Sequence, residues 1–266
     1  MSYLDALPAK YRLILCDIWG VVHDGVSLYP GVGERLARWR EDGRAVVLIT
    51  NAPRPADAVE RQLQRLGLTR EAWDSVSTSG EAGISSLKLI EEPIGFLGTH
   101  DDRAILEARG LRFASEAFMH LACTGLDDHR TDLEAYRSDL EALASSGVVF
   151  HCLNPDRVVI RGGVPEACAG ALADMYINMG GEVEWYGKPF PAIYRHALAL
   201  AGNPPADSVL AVGDGLQTDI LGAARMGFDA VFVVGGIHRG EPFPGDFASQ
   251  NGLGDWAPVA VVDGLG

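Results

Sequence analysis

The chain has 266 residues, 47% apolar and 22% charged, which suits one large or two modest α/β domains with a sizeable core. Its formal net charge is −14, from 22 Lys and Arg against 36 Asp and Glu. That balance argues against nucleic acid or an anionic membrane as partner, since both need a basic footprint. It leaves room for an anionic substrate, because a local metal ion and backbone amides can reverse the field within one cleft.

In chain order, Leu13–Asp17 has strand composition and ends on a carboxylate. It runs into the loop Ile18-Trp19-Gly20-Val21-Val22-His23-Asp24-Gly25. Gly31–Trp39 places Val32, Leu36 and Trp39 at helical spacing and stops near Gly43. Ala45–Thr50 is a second buried strand, and Pro55 opens a helix with Val59, Leu63 and Leu66 on one face, ending at Gly67. This β-α-β-α order predicts a parallel sheet covered by helices. Next come expected strands at Pro93–Gly98, Leu121–Thr124, Val148–Leu153 and Arg157–Arg161, with helices at Asp101–Ala108, Leu133–Ala144 and Pro165–Asn178. The core style then resumes with a strand at Ser208–Gly213, a helix at Asp219–Met226 and a strand at Ala230–Val234. Gly240–Gly254 is Gly/Pro-rich and irregular, before a last strand at Ala260–Val262. The pattern predicts a core domain, residues 1–79 and 187–266, interrupted by an α/β cap at 80–186, with joints near Thr78–Gly80 and Trp185–Gly187.

Cys16, Cys123, Cys152 and Cys168 show no CxxC spacing and no His clustering at zinc distances, so buried free thiols in a reducing cytoplasm are expected. The N-terminus lacks a basic n-region and an apolar h-region, and no apolar stretch approaches a membrane span. A soluble, cytoplasmic protein is the expectation. Thr99-His100-Asp101-Asp102 reads as a helix N-cap with an acid at N3. His129, His196 and His238 lack partners at ligand spacing. Asn154 and Asp156 flank Pro155 and read either as turn residues or as groups that reach a substrate.

Four polar signals recur in order: Asp17 after the first strand, Thr50-Asn51 after the second, Lys188 in Gly187-Lys188-Pro189, and Asp214 in Gly213-Asp214-Gly215-Leu216-Gln217-Thr218-Asp219. In parallel, adjacent strands all four meet at one sheet edge, where open α/β sheets place their chemistry. The chemistry of such a set is phosphoryl transfer. A carboxylate can attack phosphorus and split one displacement into two, while Mg²⁺ and Lys188 balance the charge on the equatorial oxygens. Asp219 would sit one turn into the site, as a metal ligand through water or a partner for Lys188.

The chain resembles the haloacid dehalogenase superfamily, and more narrowly its class IIA branch of NagD-like and p-nitrophenylphosphatase-like hydrolases. The carrying residues are Asp17-x-Trp19-Gly20-Val21, Ile49-Thr50-Asn51, Gly187-Lys188-Pro189 and Gly213-Asp214-x-x-x-Thr218-Asp219-Ile220. Thr78-Ser79-Gly80, Asn154-Pro155-Asp156 and Arg161-Gly162-Gly163 add support. The resemblance implies a Rossmann-like parallel-sheet core with an inserted α/β cap that excludes solvent and selects the leaving group. It also implies Asp17 as nucleophile, the Trp19 carbonyl as a Mg²⁺ ligand, Thr50, Asn51 and Lys188 on the phosphate, Asp214 on Mg²⁺ and Asp219 supporting the metal. A small phosphorylated metabolite would be the substrate, and a homodimer paired through the cap is one option. In that family a second Asp, the general acid and base, normally stands where this chain has Trp19. Three outcomes follow: preference for good leaving groups such as aryl or acyl phosphates, substitution by His23 or Asp24, or binding of phosphorylated ligands with little turnover. For Trp19 itself the readings are packing or substrate stacking, and for His23 and Asp24 a plain turn before Gly25 competes. Overall, a Mg²⁺-dependent phosphohydrolase leads, a weakly active phospholigand-binding protein is the rival, and carbon–halogen or phosphonate chemistry comes third.

Overall fold

The computed structural model describes residues 3–161, 164–235 and 242–266. Gly162 and Gly163 of the Arg161-Gly162-Gly163 motif, and His238, lie outside the described residues. Among those described, the strands are β1 (Leu13–Asp17), β2 (Ala45–Thr50), β3 (Ser75–Thr78), β4 (Gly95–Leu97), β5 (His120–Cys123) and β6 (Val149–Cys152). They continue as β7 (Val158–Arg161), β8 (Val164–Ala167), β9 (Val183–Trp185), β10 (Val209–Gly213), β11 (Asp229–Val233) and β12 (Ala260–Val262). The chain divides into two compact units. The first comprises Met1–Thr50, Ala56–Ser77 and Lys188–Gly266, the second Asn51–Pro55 and Thr78–Gly187.

The first unit is built on a six-stranded sheet of order β12-β11-β10-β1-β2-β3. β1 pairs in parallel with both β2 and β10, β10 with β11, and β11 with β12. Every residue of β1 is buried, as expected of a central strand covered on both faces. Leu13 and Leu15 join Val47, Ile49, Ile193, Tyr194, Ala197, Ile220 and Phe232 in one apolar cluster. The helix that supplies three of these, Pro191–Leu200, starts with Pro at its first turn, where the missing N–H costs nothing. Helix Val32–Glu41 buries Val32, Leu36 and Trp39, one stripe at helical spacing.

The chain leaves β1 toward β2 on one side and returns as β10 on the other, so the strand order reverses at β1. Such a switch point opens a crevice at the carboxyl ends of the strands. Register sets what lines it. Asp17 is level with Ile49 on β2, and Cys16 with Val212 on β10. Thr50 therefore comes next along β2 and Asp214 directly after β10 ends at Gly213, at the same edge as Asp17.

The second unit carries its own parallel sheet, order β4-β5-β6-β9, and an antiparallel pair, β7-β8. Its core includes Leu121, Tyr136, Leu140, Phe150, Leu172 and Tyr176. The α/β class with a parallel-sheet core is as the sequence indicates. Several details differ. The helix expected from Pro165 begins at Ala169, because Val164–Ala167 pairs with β7 instead. The helix expected from Asp219 is split into a π-helical turn, Leu216–Ile220, and a short helix, Leu221–Arg225. β3, β9 and the helix Ser79–Leu87 had not been expected. The Thr99 cap is present, its hydroxyl accepting from Asp102 N–H at 3.2 Å. All four cysteines are free and buried. No helix among the described residues is long and apolar enough to cross a membrane.

Candidate active site

Four charged side chains are buried together at the carboxyl edge of the first unit's sheet: Asp17, Lys188, Asp214 and Asp219, each at most 6% exposed. Lys188 Nζ donates to Asp17 Oδ1 at 2.6 Å and to Asp219 Oδ1 at 2.7 Å. Ile18 N–H also donates to Asp17 Oδ1, at 2.7 Å. Oxygens of Asp17, Asp214 and Asp219 lie within 4.8 Å of one another.

The backbone is shaped for this crowding. Gly20 has φ +82°, and a Cβ there would lie 2.0 Å from Asp214 Oδ2. Gly213 is equally tight, since its Cβ would meet Asp219 Cβ at 2.2 Å. The π-helical turn, closed by Ile220 N–H to Gly215 O at 3.1 Å, folds Asp219 back so that its Oδ2 accepts from Gly215 N–H at 3.1 Å. Single π turns are frequent at functional sites, because the extra residue re-aims a side chain. Tyr194 donates from below to Thr218 O at 3.3 Å, and Gly222 leaves the space its hydroxyl needs.

Charge does not balance. Three carboxylates face one ammonium out of water, where unpaired charge costs roughly several kcal/mol per ion. Burial, then repulsion from Asp219 and Asp214, pushes the Asp17 carboxyl well above its usual range against the pull of Lys188. Burial alone would lower the Lys188 pKa, but the charges and hydrogen bonds of Asp17 and Asp219 outweigh it and hold the lysine above its ordinary value. The lysine is thus a fixed cation. An all-oxygen set with excess negative charge and a glycine beside one carboxylate fits a hard divalent cation such as Mg²⁺.

The other expected site residues fall as follows. Thr50 closes β2 at this edge and is partly exposed. Trp19 is 46% exposed, its ring edge-on to His23 at 5.5 Å. His23 is buried and its Nδ1 accepts from Gly25 N–H at 2.9 Å, while burial lowers its pKa. Asp24 is exposed, and its Oδ1 accepts from Val26 and Ser27 N–H at 2.9 and 2.8 Å. The backbone N–H groups of Ser27 and Val26 hold its carboxyl below the usual range. Asn51 belongs to the second unit, where its amide donates to Asp156 Oδ1 at 2.8 Å and Gly187 packs against it. His196 bonds Ser77 Oγ at 2.8 Å, and His129 is exposed.

The motifs contain Gly20 and Gly213 without showing that each makes room for a carboxylate, and they do not include Tyr194. The glycines carry a legible signal, each standing directly beside an expected acidic or metal-site residue. Tyr194 carries none, because an aromatic on a helix reads as core.

A family described as haloacid dehalogenase-like hydrolase matches residues 14–112, and a second, described as HAD-hydrolase-like, matches residues 185–265. A solved haloacid dehalogenase-like family hydrolase from Brucella suis is 33% identical with a TM-score of 0.81, over 99% of this chain and 98% of that one. The 4-nitrophenylphosphatase of Thermotoga maritima is 25% identical with a TM-score of 0.76, over 100% and 97% of the two chains. The ribonucleotide monophosphatase NagD of Escherichia coli is 29% identical over 243 residues, 84% of this chain and 88% of its own length.

The charge imbalance yields a stability test. A carboxyl whose folded pKa is raised stabilises the fold at low pH and loses that contribution as pH rises through the folded value, upward from about 3.9. Asp17→Asn mimics the protonated form. With chelator present, its melting temperature should match wild type near about pH 4 and exceed it increasingly toward alkaline pH, by roughly 2–4 °C per kcal/mol of repulsion removed. A pH-independent difference in thermal melts would show that Asp17 is not the strained charge.

Proposed function

The chain belongs to the haloacid dehalogenase-like hydrolases and is a phosphatase of that family; we propose that it hydrolyses small phosphomonoesters with Mg²⁺ through an aspartyl-phosphate on Asp17. The observation that carries this reading is the buried Lys188 ammonium bridging Asp17 and Asp219, with Asp214 beside them.

Ile18 N–H and Lys188 both donate to Asp17 Oδ1, which leaves Oδ2 as the less encumbered oxygen for attack. In the first step an Asp17 oxygen forms a bond to phosphorus and the bond to the leaving oxygen breaks, with the pair going to that oxygen. In the second, water adds to phosphorus and the acyl-phosphate bond breaks, restoring the carboxylate and releasing inorganic phosphate. Lys188 holds Asp17 in one orientation and offers positive charge to the transferring group, and the Thr50 hydroxyl takes a phosphate oxygen at the end of β2. Asp17, Asp214, Asp219 and the Trp19 carbonyl would hold Mg²⁺, which when bound supplies positive charge at the phosphate oxygens. The names of the relatives, a 4-nitrophenylphosphatase and a ribonucleotide monophosphatase, support small phosphomonoesters as substrates. The free, buried cysteines support a cytoplasmic setting.

The reading is checked with p-nitrophenyl phosphate. Hydrolysis should require Mg²⁺, stop with chelator and fall at least about a thousandfold in Asp17→Asn. Metal-independent turnover, or turnover that survives the substitution, would sink it.

The indole at position 19 favours a second reading, a phospholigand-binding protein of low turnover, because it offers no proton to a departing alkoxide. Trp19→Asp separates the two. If proton donation is the missing element, alkyl phosphate hydrolysis should rise up to about 10²-fold and aryl phosphate hydrolysis less. Equal or absent gains would show that the acid was not limiting.

A further inference from the structure

Among the Phe, Tyr and Trp side chains of the described residues, Trp19 alone is exposed, and an exposed tryptophan packed against its own loop is unusual. It is held on two sides. His23, itself buried, presents its ring edge-on at 5.5 Å and an interplanar angle of 79°. Gly25, at φ +94°, lies against the ring so closely that a Cβ would be 2.5 Å from Trp19 Cη2 and 2.8 Å from Cζ3. The loop beneath is tied by Gly20 N–H to His23 O at 3.0 Å, Val22 N–H to Ile18 O at 2.8 Å and Tyr29 N–H to Val22 O at 3.0 Å. A ring flanked by His23 and Gly25 and still about half exposed is a platform.

Its place in the chain limits what it can touch. Asp17 lies two residues before it, and Gly20, the next residue, abuts the Asp214 carboxylate. Two residues span at most about 7 Å, so the platform belongs to the first group beyond a phosphate bound at Asp17. Of the polar groups nearest in sequence, Asp24 Oδ1 accepts from two N–H groups of its own turn, and His23, buried with Nδ1 accepting from Gly25 N–H, keeps only Nε2–H to donate. A leaving group here departs best when it needs no proton. A phenol, with a pKa of about 10 as in tyrosine, meets that condition and is also a flat π surface.

We propose that Trp19 stacks on the ring of a planar aromatic leaving group, so that this site takes aryl phosphates. The proposal rests on the phosphatase reading but is tested by binding, which needs no turnover. Dissociation constants of phenylphosphonate and ethylphosphonate, neither of which can be hydrolysed, are measured by calorimetry with Mg²⁺ for wild type, Trp19→Leu and Trp19→Phe. Leucine keeps apolar area and removes the π face, whereas phenylalanine keeps one. Wild type should prefer phenylphosphonate, Trp19→Leu should lose about two- to tenfold of that preference, and Trp19→Phe should retain most of it. Equal weakening of both ligands in Trp19→Leu, or no preference in wild type, overturns the platform and leaves the phosphatase reading to be judged separately by turnover in Asp17→Asn.

Discussion

The site depends on one buried ammonium. Lys188 reaches Asp17 and Asp219 at once, 2.6 and 2.7 Å away, and without it three carboxylates would face one another out of water. Even with it the cluster stays negative. The residual charge has a chemical meaning, because a buried all-oxygen set with excess negative charge suits a hard divalent cation. Replacing the ions by apolar residues would give a more comfortable core and no chemistry.

The sheet brings these groups to one edge, but small backbone devices bring them into contact. Register alone puts Asp17, Thr50 and Asp214 at the carboxyl ends of three adjacent strands. Closing the last few ångströms needs Gly20 in a conformation other residues avoid, Gly213 with no side chain, and the π-helical turn that sends Asp219 back toward Lys188. Tyr194 then props that turn from below. Positions 19 and 20 thus divide the labour of one loop. Gly20 gives way to Asp214, while Trp19 stands out into solvent.

Much of this was legible in the sequence, for physical reasons. Central parallel strands are buried on both faces, so β1, β2 and β10 read as unbroken apolar runs, and each is followed by a polar residue at the chemical edge. Three such signals, together with Gly187-Lys188-Pro189, carried the family resemblance in order. Harder to read were elements set by tertiary pairing. Val164–Ala167 is a strand only because β7 lies beside it, and Pro165 had suggested a helix start instead. Likewise nothing local in Leu216–Ile220 distinguishes a π turn from an α turn, since the difference is one hydrogen-bond step. Asn51 follows Thr50 directly, and no local pattern could have named its partner: its amide donates to Asp156, more than a hundred residues away.

The central claim is that Asp17 becomes phosphorylated during turnover. Acid quenching of the protein during Mg²⁺-dependent hydrolysis of p-nitrophenyl phosphate, followed by peptide mass mapping, tests it most directly. The expected result is a phosphoryl group on the peptide carrying Asp17, assigned to that side chain. A phosphoryl group on any other residue, or steady turnover with no covalently phosphorylated protein at all, would contradict the account.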